Sequence, residues 1–142
     1  MTSEHTILAS DLRVIERFVL SRGDDIRPLL RVANIPPALL KNPRDRIPSP
    51  QVGALLDELA RAYPERQLGL ELATFHRITD THVLGITAIS SETTLGALRR
   101  LSKYQALIST QQPLQLLENS NTVTVIKSTV QAEPAEHIIQ SF

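Results

Sequence analysis

Up to Pro113 the apolar residues of this chain recur every three or four positions, and beyond it they alternate. A period near 3.6 fits one-sided helices and a period of two fits half-buried strands, so the sequence divides into a helical body and a short β segment. In the first helix Leu12, Ile15 and Val19 share a face, Ser10 is placed to cap the first turn and Gly23 to take a left-handed stop. Asp24 is expected to cap a second helix through Ile26, Leu29, Leu30 and Ala33, with Pro28 in its first turn and Asn34 as its stop. Residues 35–40 read as one helical turn opened by proline, and residues 42–48 as a connecting loop.

Ser49 followed by Pro50 signals a helix with the stripe Val52, Leu55, Leu56, Leu59 and Tyr63, which Pro64 ends. A further helix is predicted from Glu65 to His76, carrying Leu68, Leu70, Leu72 and Phe75. The apolar run Val83–Ile89 has no clear period and fits a buried helix or a strand. Thr93 or Thr94 then starts the strongest helix, with Leu95, Leu98, Leu101, Tyr104, Gln105 and Ile108 facing inward and Arg99, Arg100 and Lys103 outward. After Pro113, residues 114–117 and 122–129 flank the polar cluster Glu118-Asn119-Ser120-Asn121, the pattern of a β-hairpin. The expected fold class is therefore α+β, mostly helical, with a small antiparallel sheet that includes this C-terminal hairpin. Residues 135–142 begin another amphipathic stripe with Ile138, Ile139 and Phe142, which leads us to expect that the natural chain continues.

A length of 142 residues predicts one domain, residues 1–142, with one core. The absence of cysteine excludes disulfides, thiolate metal sites and a cysteine nucleophile. Fifteen basic residues balance fifteen acidic ones, whereas proteins that grip nucleic acid through phosphates usually carry a basic excess. The N-terminus has no signal-peptide pattern and the longest apolar stretch is too short to span a bilayer, so a cytoplasmic location without membrane contact is expected.

Candidate chemistry is sparse. His76, Asp80 and His82 lie close in sequence, but the histidines do not share a helix face and Arg77 between them disfavours a cation; no metal and no cofactor are expected. Ser90 and Ser91 lack a nucleophile elbow and read as turn and capping residues. Glu65 and Glu71 share no helical face, and there is no glycine-rich phosphate loop, so the chain is not expected to be an enzyme. Arg99, Arg100 and Lys103 read as the solvated side of their helix rather than a nucleic-acid patch. Tyr104, with an apolar ring and a polar tip, is expected on the inner face, as a packed core residue in the simpler reading or, with Phe75, Ile89 and Leu116, as one wall of a mostly apolar ligand pocket.

Two blocks carry a family resemblance. Gln67-Leu68-Gly69-Leu70-Glu71-Leu72-Ala73 is similar to an LGLELG block, and Leu84 to Tyr104 resembles a block of the form GxxGYAxxSSPTLGEALRxLxRY. The stretch Ala33–Pro48, of the form AxIPPxLLxNPxxRIP, extends the likeness, as does the hairpin after Pro113. In this order the blocks resemble the N-terminal, arabinose-binding-type domain of AraC/XylS transcription regulators over nearly the whole chain. The chain departs from the pattern at Thr87, where tyrosine is frequent, at Glu92, where proline is frequent, and in ending short of the last helices.

The resemblance implies a ligand-sensing domain that recognises a small-molecule effector, helps to form a homodimer, and contacts DNA only through a C-terminal helix-turn-helix domain absent from this chain. The effector's identity does not follow from the family's label. The rival reading is a free-standing small-molecule-binding module or small enzyme with no DNA role.

Overall fold

The computed structural model describes residues 5–64, 67–110 and 114–126. Among these residues the order is β1 (Thr6–Leu8), α1 (Leu12–Ser21), α2 (Arg27–Val32), β2 (Arg46–Pro48), α3 (Ser49–Ala62), α4 (Leu68–Phe75), α5 (His82–Ile89), α6 (Thr94–Tyr104), β3 (Gln115–Glu118) and β4 (Val123–Ile126). Single 3-10 turns fill 9–11, 37–41, 78–81 and 105–107. The α+β class and the C-terminal hairpin are as the sequence predicts. The stripe that would begin in residues 135–142 lies outside the described residues.

The hairpin forms a two-stranded sheet of its own, β3 antiparallel to β4 with Gln115 opposite Ile126 and Glu118 opposite Val123. A second antiparallel pair joins β1 to β2, with Ile7 opposite Ile47. Ile7 also bridges Ser109, so β1 lies between β2 and the chain just past α6. This pairing corrects the reading of 42–48 as loop throughout. A three-residue strand is too short to show a period, and its partners lie far off in sequence.

One cluster holds every buried apolar side chain among the described residues except Leu84 and Ala88. It gathers Leu12, Ile15, Phe18 and Val19 of α1, Leu30 of α2, Ile47 of β2, Leu55 and Leu59 of α3, and Leu68 of α4. Phe18 is its centre, with edge-on contacts to Tyr63 at 5.1 Å and to Phe75 at 5.8 Å between ring centroids. Each such pair adds about 0.5–1.5 kcal/mol to what burial of the rings contributes.

The helix stops behave as expected. Gly23 (φ 79°) and Asn34 (φ 56°) both take the left-handed conformation that ends a helix. The caps expected for α1, α2 and α3 do not. Ser10 is buried within the 9–11 turn, and α1 starts with no side-chain cap. Ser49 lies inside α3 after Pro48, because its amide continues the β ladder by donating to the His5 carbonyl (2.8 Å). Asp24 accepts from the Tyr63 hydroxyl at 2.6 Å instead of capping α2. It is Asp25 that receives the Arg27 amide, at 2.9 Å.

Candidate functional site

The chain from residue 82 onward is built differently. The run Val83–Ile89 that sequence left open is helical, as α5. Its inner side buries Leu84, Gly85 and Ala88, while its outer side leaves Val83, Ile86 and Ile89 each more than half exposed. A helix apolar all round shows no period, which is why the sequence could not distinguish it from a strand. Among the described residues this outer stripe has no cover, and Ile89, expected at a pocket, belongs to it.

α6 begins as the sequence predicts. Thr93 caps it, its hydroxyl oxygen accepting from the Gly96 amide at 3.0 Å. α6 packs between α5 and β3. Leu95, Leu98 and Leu101 are half-buried on its inner side, with Ser102. Tyr104 is not inward: it is 41% exposed, and the Lys103 ammonium lies 5.3 Å from its ring centroid. At about 100° per residue, position 104 falls some 120° from the middle of the Leu95–Leu98–Leu101 stripe, and the helix ends there. Gln105 lies instead in the following 3-10 turn.

Polar side chains hold the hairpin against α6. Arg99 grips Glu118 with two bonds, at 2.8 and 2.5 Å. At the other end of β3 the Ser102 hydroxyl donates to the Leu114 carbonyl at 2.5 Å, and the Leu114 amide donates to the Gln105 side chain at 2.8 Å. The ordered pairing of 99 with 118 and of 102 and 105 with 114 shows that β3 runs against the direction of α6. Leu116 lies between these anchors and is half-buried. Charge pairing raises the Arg99 guanidinium and lowers the Glu118 carboxyl, in each case chiefly through their shared hydrogen bonds.

Arg100 reaches from α6 to the end of α5, donating to the Thr87 carbonyl and to the Ser91 hydroxyl, both at 3.0 Å. The Ser90 and Ser91 hydroxyls donate to that same carbonyl. These side chains satisfy the last turn of α5, where carbonyls lack helical partners and positive charge is favoured. Arg99 and Arg100 are exposed, as expected, yet they join elements rather than simply meeting water.

The other singled-out groups lie elsewhere. Phe75 packs into the N-terminal cluster against Phe18, apart from α6 and the hairpin. Glu71 pairs with Arg22 at 2.5 Å. Asp80 is 3% exposed, and its carboxylate is held by the Arg17 guanidinium and by the Arg77 amide at 2.9 Å. Burial pushes its carboxyl up, but the bonds from Arg17 and Arg77 and the charges of Arg17 and His76 hold it below the usual aspartate value. Its oxygens are thus committed to cationic and amide donors. Among the described residues no three of His, Cys, Asp and Glu gather as metal ligands would.

Sequence reasoning missed Arg17, whose partner is 63 residues away and which sits off the apolar stripe of α1. It also missed Arg46, which donates to the Leu107 carbonyl at 3.0 Å and ties the turn after α6 to β2. Neither has a local signal. Among the described residues no helix is long and apolar enough to cross a membrane.

Compared with known proteins, the chain matches none of the curated ones. Against protein families, residues 23–141 match the arabinose-binding domain of the AraC transcription regulator, N-terminal, so the match takes in α2 through the hairpin. The chain belongs to this family of N-terminal arabinose-binding domains of AraC transcription regulators, a ligand-binding, regulatory family.

Proposed function

We propose that the chain, as one sensing and oligomerisation domain over 1–142, binds a small-molecule effector and controls DNA binding by a separate C-terminal helix-turn-helix domain. Membership of the family over 23–141 carries this reading. The balanced charge supports it, since the chain lacks the basic excess that phosphate contacts call for. The mechanism is population shift: the effector binds one arrangement of sensor and DNA-binding domain more tightly and so biases promoter occupancy. The full-length regulator acts in the cytoplasm as a homodimer.

The effector surface in this reading is formed by α5, α6 and the hairpin, with Ile89, Tyr104 and Leu116 contributing to it, while Phe75, packed in the N-terminal cluster, lies apart from it. The half-buried leucines of α6 and the few charges not already paired favour a mostly apolar ligand with a small number of polar contacts.

The test is to read the source gene beyond the codon for Phe142, then to purify the complete product and screen it by thermal shift against sugars including arabinose, amino acids and fatty acids. Two helix-turn-helix patterns downstream, with a ligand that both raises the melting temperature and changes promoter affinity, are expected. A stop codon at once after Phe142 would remove the DNA role and leave a free-standing binding module.

A further inference from the structure

The segment from Ile78 to Leu107 leaves the N-terminal core and returns to it. At the return the hold combines backbone bonds with side chains, among them Arg46 donating to the Leu107 carbonyl at 3.0 Å and the Thr6 amide donating to the Thr110 hydroxyl oxygen at 2.8 Å. The Leu8 amide donates to the Ile108 carbonyl at 3.1 Å and the Thr110 amide to the Thr6 carbonyl at 3.0 Å, around the Ile7–Ser109 bridge. At the departure a side chain of α1 makes a four-bond hold. Arg17 of α1 donates through Nε and Nη2 to the Phe75 carbonyl, at 3.1 and 2.8 Å, and through its two terminal nitrogens to the Asp80 carboxylate.

Beyond that point the segment is a block. A Cβ on Gly85 would fall on the Ile78 carbonyl, so the 78–81 turn and α5 are in direct backbone contact. His82 joins them with φ 49°, a value that strains a residue other than glycine, and its Nε2 is buried without a hydrogen-bond partner. The block buries little of its own: Leu84, Gly85 and Ala88 in α5, and no residue fully in α6. Segments with few buried apolar contacts open at lower cost than the core they sit on.

We propose that the Arg17–Asp80 pair is a latch, and that when it parts the block of residues 78–104 opens as a unit from the N-terminal core while residues 108–110 stay paired with β1. Such a latch goes beyond effector sensing. It would give an effector bound against α5 and α6 a part to move, but its test uses no effector, so the two readings fail separately.

The test is hydrogen exchange of the chain at neutral pH, wild type against Asp80→Asn. Removing one partner of a buried pair costs enough to change an opening equilibrium by about 10²–10⁴-fold, and the partial exposure of Arg17 puts the expectation at the low end, about 10²-fold. The faster exchange is expected in amides of 82–104, through an opening that stays lower in free energy than that of α1, α3 and 108–110 in both proteins. One common opening free energy for 82–104, α1 and α3 would overturn the proposal, since the pair would then support the whole fold. No acceleration in 82–104 would also overturn it. Should Asp80→Asn fail to fold, Arg17→Lys decides: the charge stays, but one ammonium cannot serve both Phe75 and Asp80. A rise of about tenfold in 82–104, still through an opening lower in free energy than that of α1 and α3, is expected, and one common opening free energy, no rise or a second failure to fold overturns the latch.

Discussion

The same substitution at two helical glycines is expected to have opposite signs. Gly53 lies within α3, and a Cβ added there meets nothing within 4 Å. Gly53→Ala should therefore gain what alanine offers in a helix, about 0.5–1 kcal/mol, by reducing the freedom of the unfolded chain. Gly85 lies within α5, where the added methyl overlaps the Ile78 carbonyl oxygen and the Thr81 hydroxyl. A methyl has no rotamer with which to step aside, and the nearest obstacle is backbone. Overpacking costs about 1–3 kcal/mol, and a clash with a fixed carbonyl belongs in the upper part of that range. After subtracting the helix gain, Gly85→Ala should be about 1–2 kcal/mol less stable than wild type. With a urea slope of about 1–3 kcal/mol per molar, the two variants' midpoints should be roughly 1 M apart on either side of wild type. Far-UV circular dichroism follows the transition, and the chain's two tyrosines, Tyr63 in the core and Tyr104 on α6, give a second signal without added labels. A Gly85→Ala midpoint at or above that of wild type would refute the close approach of the 78–81 turn to α5.

Phe18→Ala should lose about 3–5 kcal/mol in the same unfolding experiment, because Phe18 is fully buried between two rings. Thr93→Ala should cost about 1 kcal/mol by leaving the Gly96 amide without its cap, and Thr93→Ser should restore most of it. The stability gap between wild type and Asp80→Asn should depend on pH. Asp80 has a lowered folded value against 3.8 for the free group, so its contribution is complete above that figure and is lost as pH falls through the folded value. Urea midpoints should show a constant gap near neutrality that closes below about pH 4; a gap unchanged down to pH 3 would contradict the charged role of Asp80.

What the sequence disclosed was local. Amphipathic α1 and α3 bury one side and α6 half-buries its leucine stripe, so their periods were visible, and the Gly23 and Asn34 stops need only their own backbone. The Gln115–Glu118 and Val123–Ile126 strands showed as alternation around a polar turn. What it hid depends on distant partners. Thr6–Leu8 becomes a strand only because Arg46–Pro48 and Ser109 lie on either side of it. Asp80 reads as one of three near-neighbour polar residues until Arg17 takes it. Tyr104 was misplaced by extending a stripe of leucines one turn too far, to a position that the angular count puts beside Arg100 instead. Of the four residues expected at the ligand surface, the half-buried Leu116 lies on a strand that packs against α6, while Phe75 belongs to the N-terminal cluster.

The basic residues of α6 allow one more prediction. Affinity for DNA from Lys and Arg comes from releasing counterions at phosphates, and each contact steepens the loss of binding with salt. Arg99 and Arg100 are adjacent and exposed, but they are already engaged: Arg99 with the Glu118 carboxylate, Arg100 with the Thr87 carbonyl and Ser91. A phosphate would have to displace a carboxylate from one and helix-terminal oxygens from the other, with no net positive charge on the chain to draw it in. The chain should therefore bind a labelled duplex no more tightly than about 10⁻⁴ M at physiological salt, the weak end of non-specific binding. Fluorescence anisotropy between about 50 and 200 mM salt measures this directly. Tight binding with a steep salt slope that Arg99→Ala and Arg100→Ala reduce would mean that α6 itself meets DNA. It would also mean that the Arg99–Glu118 contact gives way to do so, detaching the hairpin from α6.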